Sequence, residues 1–274
     1  MLIKVAILDM YDGVTNEGMR CIRKLLSRAE AENELKFTVT SFDVRGQNEV
    51  PGLDHDVYIS SGGPGSPLES GAAWEPRYFK FIDALLAHNK TAERKKHLLL
   101  ICHSFQLVAL HLGLGEVSRR KSTSFGVLPM HLTRAGRADS VLGELPDPFY
   151  AVDSRDYQLT NLHDERLTEL GVEVLALEKM RPRIPLARAV MALRISPEVL
   201  ATQFHPEADG DGMLRYMRTE ERKQQVVTTY GANKYDEMVG LLADPTTIEA
   251  TEAVIVPTFL RQALAGLTEL VPAG

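Results

Sequence analysis

The period of the apolar positions changes repeatedly along the chain, from runs and alternations that suit strands to the three-and-four spacing of helices. Leu2 to Leu8 is an apolar run interrupted by Lys4 and closing on Asp9, which reads as a first strand with Asp9 in the loop at its carboxyl edge. In the turn-rich MYDGVTNEG that follows, Thr15 or Asn16 can cap a helix over Met19 to Ala31. Cys21 falls among Ile22, Leu25 and Leu26 of that helix and reads as core. Phe37 to Val44 alternates as a strand, Gly46-Gln-Asn is a loop, and Asp56 to Ile59 is a short strand running into SSGGPGSP. Trp74 to His88 places Tyr78, Phe81, Ile82 and Leu85 at amphipathic helical spacing. His97 to Ile101 is apolar without alternation, as in a strand covered on both faces. From Gln106 the pattern is helical again and stops at Gly113, a C-cap.

The second half holds more strands. Phe125 to Leu132 is one, with Pro129 marking an edge or bulge. Pro146 to Leu159 is loop and strand, Val172 to Leu177 is a strand, and Ala187 to Ile195 with Val199 to Phe204 makes a pair joined by a Ser196-Pro-Glu turn. After Gly212 the strand signals fade. Helices are expected at Met213 to Met217, Glu220 to Tyr230, Tyr235 to Leu242 and Pro257 to Leu267, the last with Pro257 in its first turn. Strands alternating with helices and then late hairpins predict an α/β fold, a mostly parallel central sheet flanked by helices with an antiparallel edge. The expected division is residues 1–212 for this domain and 213–274 for a C-terminal helical extension, serving as a cap on the sheet, a lid or a dimer surface.

Composition narrows the classes. A chain of 274 residues with 44% hydrophobic and 25% charged residues is of ordinary globular make-up. A formal charge of −6 argues against a general nucleic-acid surface, and no apolar run is long enough to span a membrane. The first residues read as a strand and not as a signal peptide. Two cysteines, Cys21 and Cys102, make no disulfide framework, which fits a cytoplasmic protein. The triplet Arg119-Arg-Lys reads as a solvated face.

Three stretches carry candidate chemistry. In HLLLICHSFQ (His97 to Gln106) an apolar strand meets Cys102 and a helix follows at once, the layout of a nucleophile elbow, with the helix N-terminus favouring a thiolate. On residue type alone, such a cysteine is more often a small buried hydrophobe. In Ser60 to Pro67, Gly62, Gly63 and Gly65 let the backbone approach a ligand and turn N–H groups inward, as an oxyanion nest requires. A phosphate loop would end in Gly-Lys-Ser/Thr, and Pro67-Leu68 stands there instead; a plain tight turn fits as well. In Thr202 to Asp209, TQFHPEAD, Pro206 stiffens the segment between His205 and Glu207, so the carboxylate can orient the imidazole as base and orienter. A lone histidine at a strand end is more often a structural hydrogen-bonder; the conjunction is what counts. Glu207, Asp209 and Asp211 lie close together, but no histidine or cysteine cluster or calcium-loop pattern completes a metal site.

Together these stretches resemble the class I glutamine amidotransferases, the triad family that includes the amidotransferase domain of GMP synthase. The family's S-G-G-P-x-S, G-x-C-x-G-x-Q and H-P-E stand here, in order, as SGGPGS (Ser61 to Ser66), LICHSFQ (Leu100 to Gln106) and HPE (His205 to Glu207). Phe125-Gly-Val-Leu-Pro also looks like the family's strand after the elbow helix. The resemblance covers Met1 to about Gly212. It implies a flavodoxin-like fold and glutamine amide hydrolysis, with Cys102 as nucleophile, His205 as base and Glu207 as its orienter. The backbone N–H of His103 and the Gly62–Gly63 turn would form the oxyanion hole, with Gln106 and Ser104 at the substrate. It implies no cofactor and no metal. The partners it implies are glutamine or a γ-glutamyl compound, with a separate synthase subunit to take the ammonia or a homodimer; nucleic acid and membrane are not expected. Two alternatives stay open: a self-contained γ-glutamyl amide or peptide hydrolase, and a non-catalytic binding module. The departures are Leu100 and Ser104, which replace the glycines flanking the cysteine and imply an opened elbow or different packing. Asp153-Ser-Arg-Asp also stands where many members have a histidine-containing loop.

Overall fold

Strands β1 (Leu2–Asp9), β2 (Lys36–Asp43), β3 (Val57–Ser60), β4 (His97–Ile101), β5 (Glu116–Leu132), β6 (Phe149–Thr160), β7 (Glu173–Glu178), β8 (Val190–Ser196) and β9 (Val199–Thr202) form one sheet. This is a computed structural model, and it describes residues 2–32, 35–181 and 186–268. The strand order is β2-β1-β3-β4-β9-β8-β7-β5-β6. The half from β2 to β9 is parallel, and the remaining strands pair antiparallel. The sheet is therefore mixed: its antiparallel part is a full half and not only an edge.

The helices are α1 (Glu17–Glu32), α2 (Trp74–Thr91), α3 (His103–His111), α4 (Arg134–Ala138), α5 (Asp164–Leu170), α6 (Gly210–Met217), α7 (Glu220–Tyr230), α8 (Ala232–Ala243) and α9 (Pro245–Thr268). Alternate residues of the parallel strands enter different cores. Ile3, Val5, Ile7, Leu99 and Ile101 join residues of α1 and α9 on one face. Ala6, Leu8, Leu98 and Leu100 join residues of α2 and α3 on the other. This is why His97–Ile101 shows no hydrophobic alternation: both faces are covered. Because β1 pairs with β2 on one side and β3 on the other, the strand order reverses there and opens a crevice at the carboxyl ends. The segments following β1, β3, β4 and β9 all leave from that edge.

Two elements depart from the sequence reading. β5 begins at Glu116, well before Phe125, and its polar first half pairs with β6 as a ribbon whose register shifts between Arg119 and Ser124. Its exposed residues show no apolar alternation, so nothing in the pattern announced a strand. Arg119 and Lys121 are solvated as expected. Arg120 turns inward to Gln158 and to Glu178, at 3.4 Å from the carboxylate. Pro257 lies within α9 and not in its first turn. An interior proline costs a helix about 3 kcal/mol. Ile255, Val256, Phe259 and Leu260 around it are all buried, each contributing roughly 1.5–3 kcal/mol, so packing carries the helix through.

The helices after Gly212 are joined to the sheet at two places. α9 buries Ile255 to Leu267 in the α1-side core, Thr251 donates to the Tyr150 carbonyl at 2.6 Å, and Glu252 pairs with Lys24 of α1 at 3.2 Å. Met217, Val226, Tyr235, Met238 and Leu242 form a smaller cluster against Val127 of β5. Asp209 caps α6 by accepting from the Gly212 N–H at 2.6 Å. Truncating Phe259 to alanine should cost about 3 kcal/mol, the lower end for a buried phenylalanine, read as a lowered denaturant midpoint. An unchanged midpoint would show that α9 is not part of the core. Among the described residues no helix is long and apolar enough to cross a membrane.

Candidate active site

Cys102 is the residue between β4 and α3, and its backbone has φ +50° and ψ −98°. A side chain at positive φ is strained by roughly 1–3 kcal/mol, and such strain persists only where the surroundings hold it. Here the Cys102 N–H donates to the Thr202 carbonyl at 2.7 Å, and the Cys102 carbonyl accepts from Gln106 at 3.1 Å. Strand and helix thus clamp the turn from both ends.

The two departures at this turn have packing explanations. Leu100 is fully buried, and in register it is flanked by Ser60 of β3 and Ala201 of β9. The small neighbours on both sides make room for it, so the turn keeps its elbow conformation. Ser104 is fully buried, 2.8 Å from the Ser60 hydroxyl, and donates to the Ser61 carbonyl at 2.7 Å. It ties α3 to the glycine-bearing loop from below and is not on the cleft wall, where it was expected to meet substrate.

His205 arrives three residues beyond the end of β9. Its N–H donates to the Val152 carbonyl at 2.9 Å, which fixes the segment against β6. Its Nδ1 lies 2.8 Å from Glu207 Oε1, in a carboxylate that is 1% exposed. A proton on Nδ1 donated to Glu207 leaves Nε2 for chemistry. Burial alone would push the imidazole pKa down, but the charges of Glu207 and Cys102 outweigh it and hold the ring well above its usual range. The SGGPGS loop brings these groups together. A Cβ added at Gly62 would stand 2.8 Å from His205 Cε1 and 3.5 Å from Cys102 Cβ, and one at Gly63 would stand 2.2 Å from the Met10 carbonyl oxygen. Glycine is required at both because imidazole and backbone occupy the space.

Cys102, His205, Gly63, His103 and Gln106 line one cleft of about 400 Å³. His103 opens α3, where first-turn N–H groups have no partner within the helix and can face an anion. Its own imidazole is buried and pushed down to about 3, chiefly by burial and then by Arg45, so the ring is neutral. Gln106 Nε2 donates to the Tyr157 carbonyl at 3.1 Å and to Gln203 at 2.9 Å, and Gln203 Nε2 stands 3.7 Å from Cys102 Sγ.

Several residues of the cleft were not singled out from sequence. Tyr11, just after β1, has its phenol held well above the usual range by burial and then by Glu207 and Cys102, so it stays protonated beside them. Its place in the crevice at the strand-order reversal was the available signal. Arg222 of α7 also lines the cleft, its guanidinium over the rings of Phe125 and Tyr216 at 5.4 and 5.3 Å. No motif pointed to it. In Asp153-Ser-Arg-Asp, the buried Arg155 reaches the cleft lining and pairs with buried Asp153 at 3.0 Å, while Asp156 is exposed on the cleft wall. Among the carboxylates near His205, Asp209 bonds to Arg20 and to the Gly212 N–H. Among the described residues no group of three metal-ligating side chains occurs.

Known structures share this architecture. A glutamine amidotransferase from Thermotoga maritima superposes with a TM-score of 0.68 at 14% identity, covering 96% of this chain and 98% of its own. A glutamine amido transferase from Methylobacillus flagellatus gives 0.59 at 16% identity, covering 100% and 98%. The glutaminase domain of Trypanosoma brucei CTPS, with bound acivicin, gives 0.55 at 14% identity, covering 97% and 94%. No curated protein matches the chain by sequence. The family model for glutamine amidotransferase class-I matches residues 6–219, and the chain belongs to that family.

Proposed function

We propose that this chain hydrolyses the side-chain amide of glutamine to glutamate and ammonia through a γ-glutamyl thioester on Cys102. The observation that carries the reading is the strained Cys102 elbow opening into the same cleft as His205, whose other nitrogen is bound to buried Glu207. His205 takes the thiol proton at Nε2, and the thiolate so formed is the nucleophile. It attacks the γ-carboxamide carbon, and the oxyanion meets the N–H groups of His103 and the Gly62–Gly63 turn. The C–N bond breaks as His205 passes its proton to the nitrogen, and ammonia leaves. Water then attacks the thioester, His205 takes its proton, and glutamate departs with the thiolate restored.

The cleft also suits the other end of glutamine. Asp156 and Arg222 bring opposite charges to its wall, complementary to the α-ammonium and α-carboxylate. Gln106 positions the wall through Tyr157 and Gln203. The family resemblance adds a destination, a separate synthase partner for the ammonia.

Release of glutamate and ammonia by the purified chain tests the reading. Labelling of Cys102 by an electrophilic glutamine analogue serves where turnover awaits a partner. Neither turnover nor labelling would sink it. Gly62→Ala should lower turnover by roughly a hundredfold, the scale of an ångström displacement of a catalytic group, because the added methyl displaces the imidazole. Circular dichroism checks that the fold survives; a fully active variant would show that His205 is not needed where it stands.

A further inference from the structure

A second cavity, of about 170 Å³, adjoins the cleft. The two share Tyr11, Asn16, Ser154, His205 and Arg222, so they meet along one wall at the imidazole. The rest of the second chamber is largely apolar, with Phe125, Val152, Met213, Met217 and Met238 among its lining. Its carboxylates are already engaged by protein groups: Glu17 by Arg20, Asp153 by Arg155 and Glu207 by His205. With Arg222, on the shared wall, taken up by the glutamyl α-carboxylate, the chamber offers contact to an apolar group and little to an ionic one.

Its position relative to the chemistry says which group. The nitrogen expelled from an amide takes its proton from His205, so a substituent on that nitrogen must extend past the imidazole, away from the glutamyl end. Glutamine carries only hydrogens there and leaves the chamber unfilled. We propose that this chamber is a leaving-group site, and that the chain cleaves γ-glutamyl amides of small apolar amines; the proposal rests on the thioester reading above. An apolar cavity of about 150 Å³ accepts benzene, so the fitting substituent is a six-membered ring or a branched alkyl group. The step balances: Cys102 sulfur bonds the γ-carbon, the C–N bond breaks, His205 protonates the nitrogen and a neutral amine leaves. Water then cleaves the thioester, giving glutamate.

The test compares kcat/KM of the full chain for glutamine, γ-glutamylbenzylamide and γ-glutamylglycine, whose leaving group carries a carboxylate. The benzylamide should exceed γ-glutamylglycine by about tenfold or more, the discrimination a hydrophobic pocket supplies. Met213 is only partly buried, so enlarging it is tolerable. Met213→Trp should cut the benzylamide-to-glutamine ratio about tenfold or more, and Met213→Ala should raise the ratio for the bulkier naphthylmethylamide. An unchanged ratio in both variants overturns the leaving-group site. So does an uncleaved benzylamide beside active turnover of glutamine or labelling of Cys102; both results leave the thioester reading intact. Absence of turnover and of labelling removes the thioester reading, and this proposal with it.

Discussion

Glu207→Gln will lower glutamine turnover by roughly 10⁴-fold, the loss seen when a triad carboxylate becomes an amide. The carboxylate accepts the Nδ1 proton at 2.8 Å and, with Cys102, holds the imidazole charged against the pull of burial. An amide in its place removes the negative charge and can present N–H to Nδ1, which reverses the tautomer and turns Nε2 into the wrong partner for the thiol. The pH profile gives the second readout. Since the folded pKa of His205 is raised, the imidazolium persists above the usual range near 6.5, and activity should extend into the alkaline limb. In Glu207→Gln that limb moves toward neutral pH. The stability linkage has the same sign: the group's contribution is complete below the unfolded pKa and is lost as pH rises through the folded one. The variant should therefore show a flatter melting temperature against alkaline pH. A variant with the parent's rate and alkaline limb would remove Glu207 from the mechanism.

Cys102→Gly will abolish thioester formation and raise the melting temperature. The loss of activity needs only the missing sulfur. The gain comes from the backbone, because a non-glycine residue at φ +50° costs roughly 1–3 kcal/mol that glycine does not incur. Cys102→Ala separates the two effects: it also loses turnover but keeps the strain, so its melting temperature should stay near that of the parent. Residual turnover in either variant would assign the nucleophile elsewhere. A Cys102→Gly protein less stable than Cys102→Ala would mean that the conformation is not strained.

How much of this could be read beforehand depended on how local each signal was. The elbow, the SGGPGS loop and the HPE segment announce themselves because each is a short run in which neighbouring residues act together. The strand at Leu98–Ile101 was legible for a similar reason, since burial on two faces writes itself as an uninterrupted apolar run. Leu100 and Ser104 were visible as departures, yet their resolution depends on Ser60, Ser61 and Ala201, residues far away in sequence that the sheet brings alongside. The polar half of β5 gives no apolar signal because its stability is in backbone pairing with β6. Arg120 and Arg222 resemble any surface arginine until the fold supplies Glu178 to the first and a cleft to the second. Pro257 reads as a helix start by its local rule and is overruled by the buried residues around it.

Helix α9 carries a consequence for the order of events during synthesis. Ile3, Val5 and Ile7 of the first strand share a core with Ile255 to Leu267 of the last helix. The growing chain therefore leaves the α9-covered part of that face open, with α1 alone lying on it, until some 250 further residues have been made. Long sequence separation between core partners slows closure, and an uncovered sheet face invites association with other chains. Arrest before residue 255 would therefore leave a fragment with part of one core uncovered, the kind of surface that holding chaperones bind.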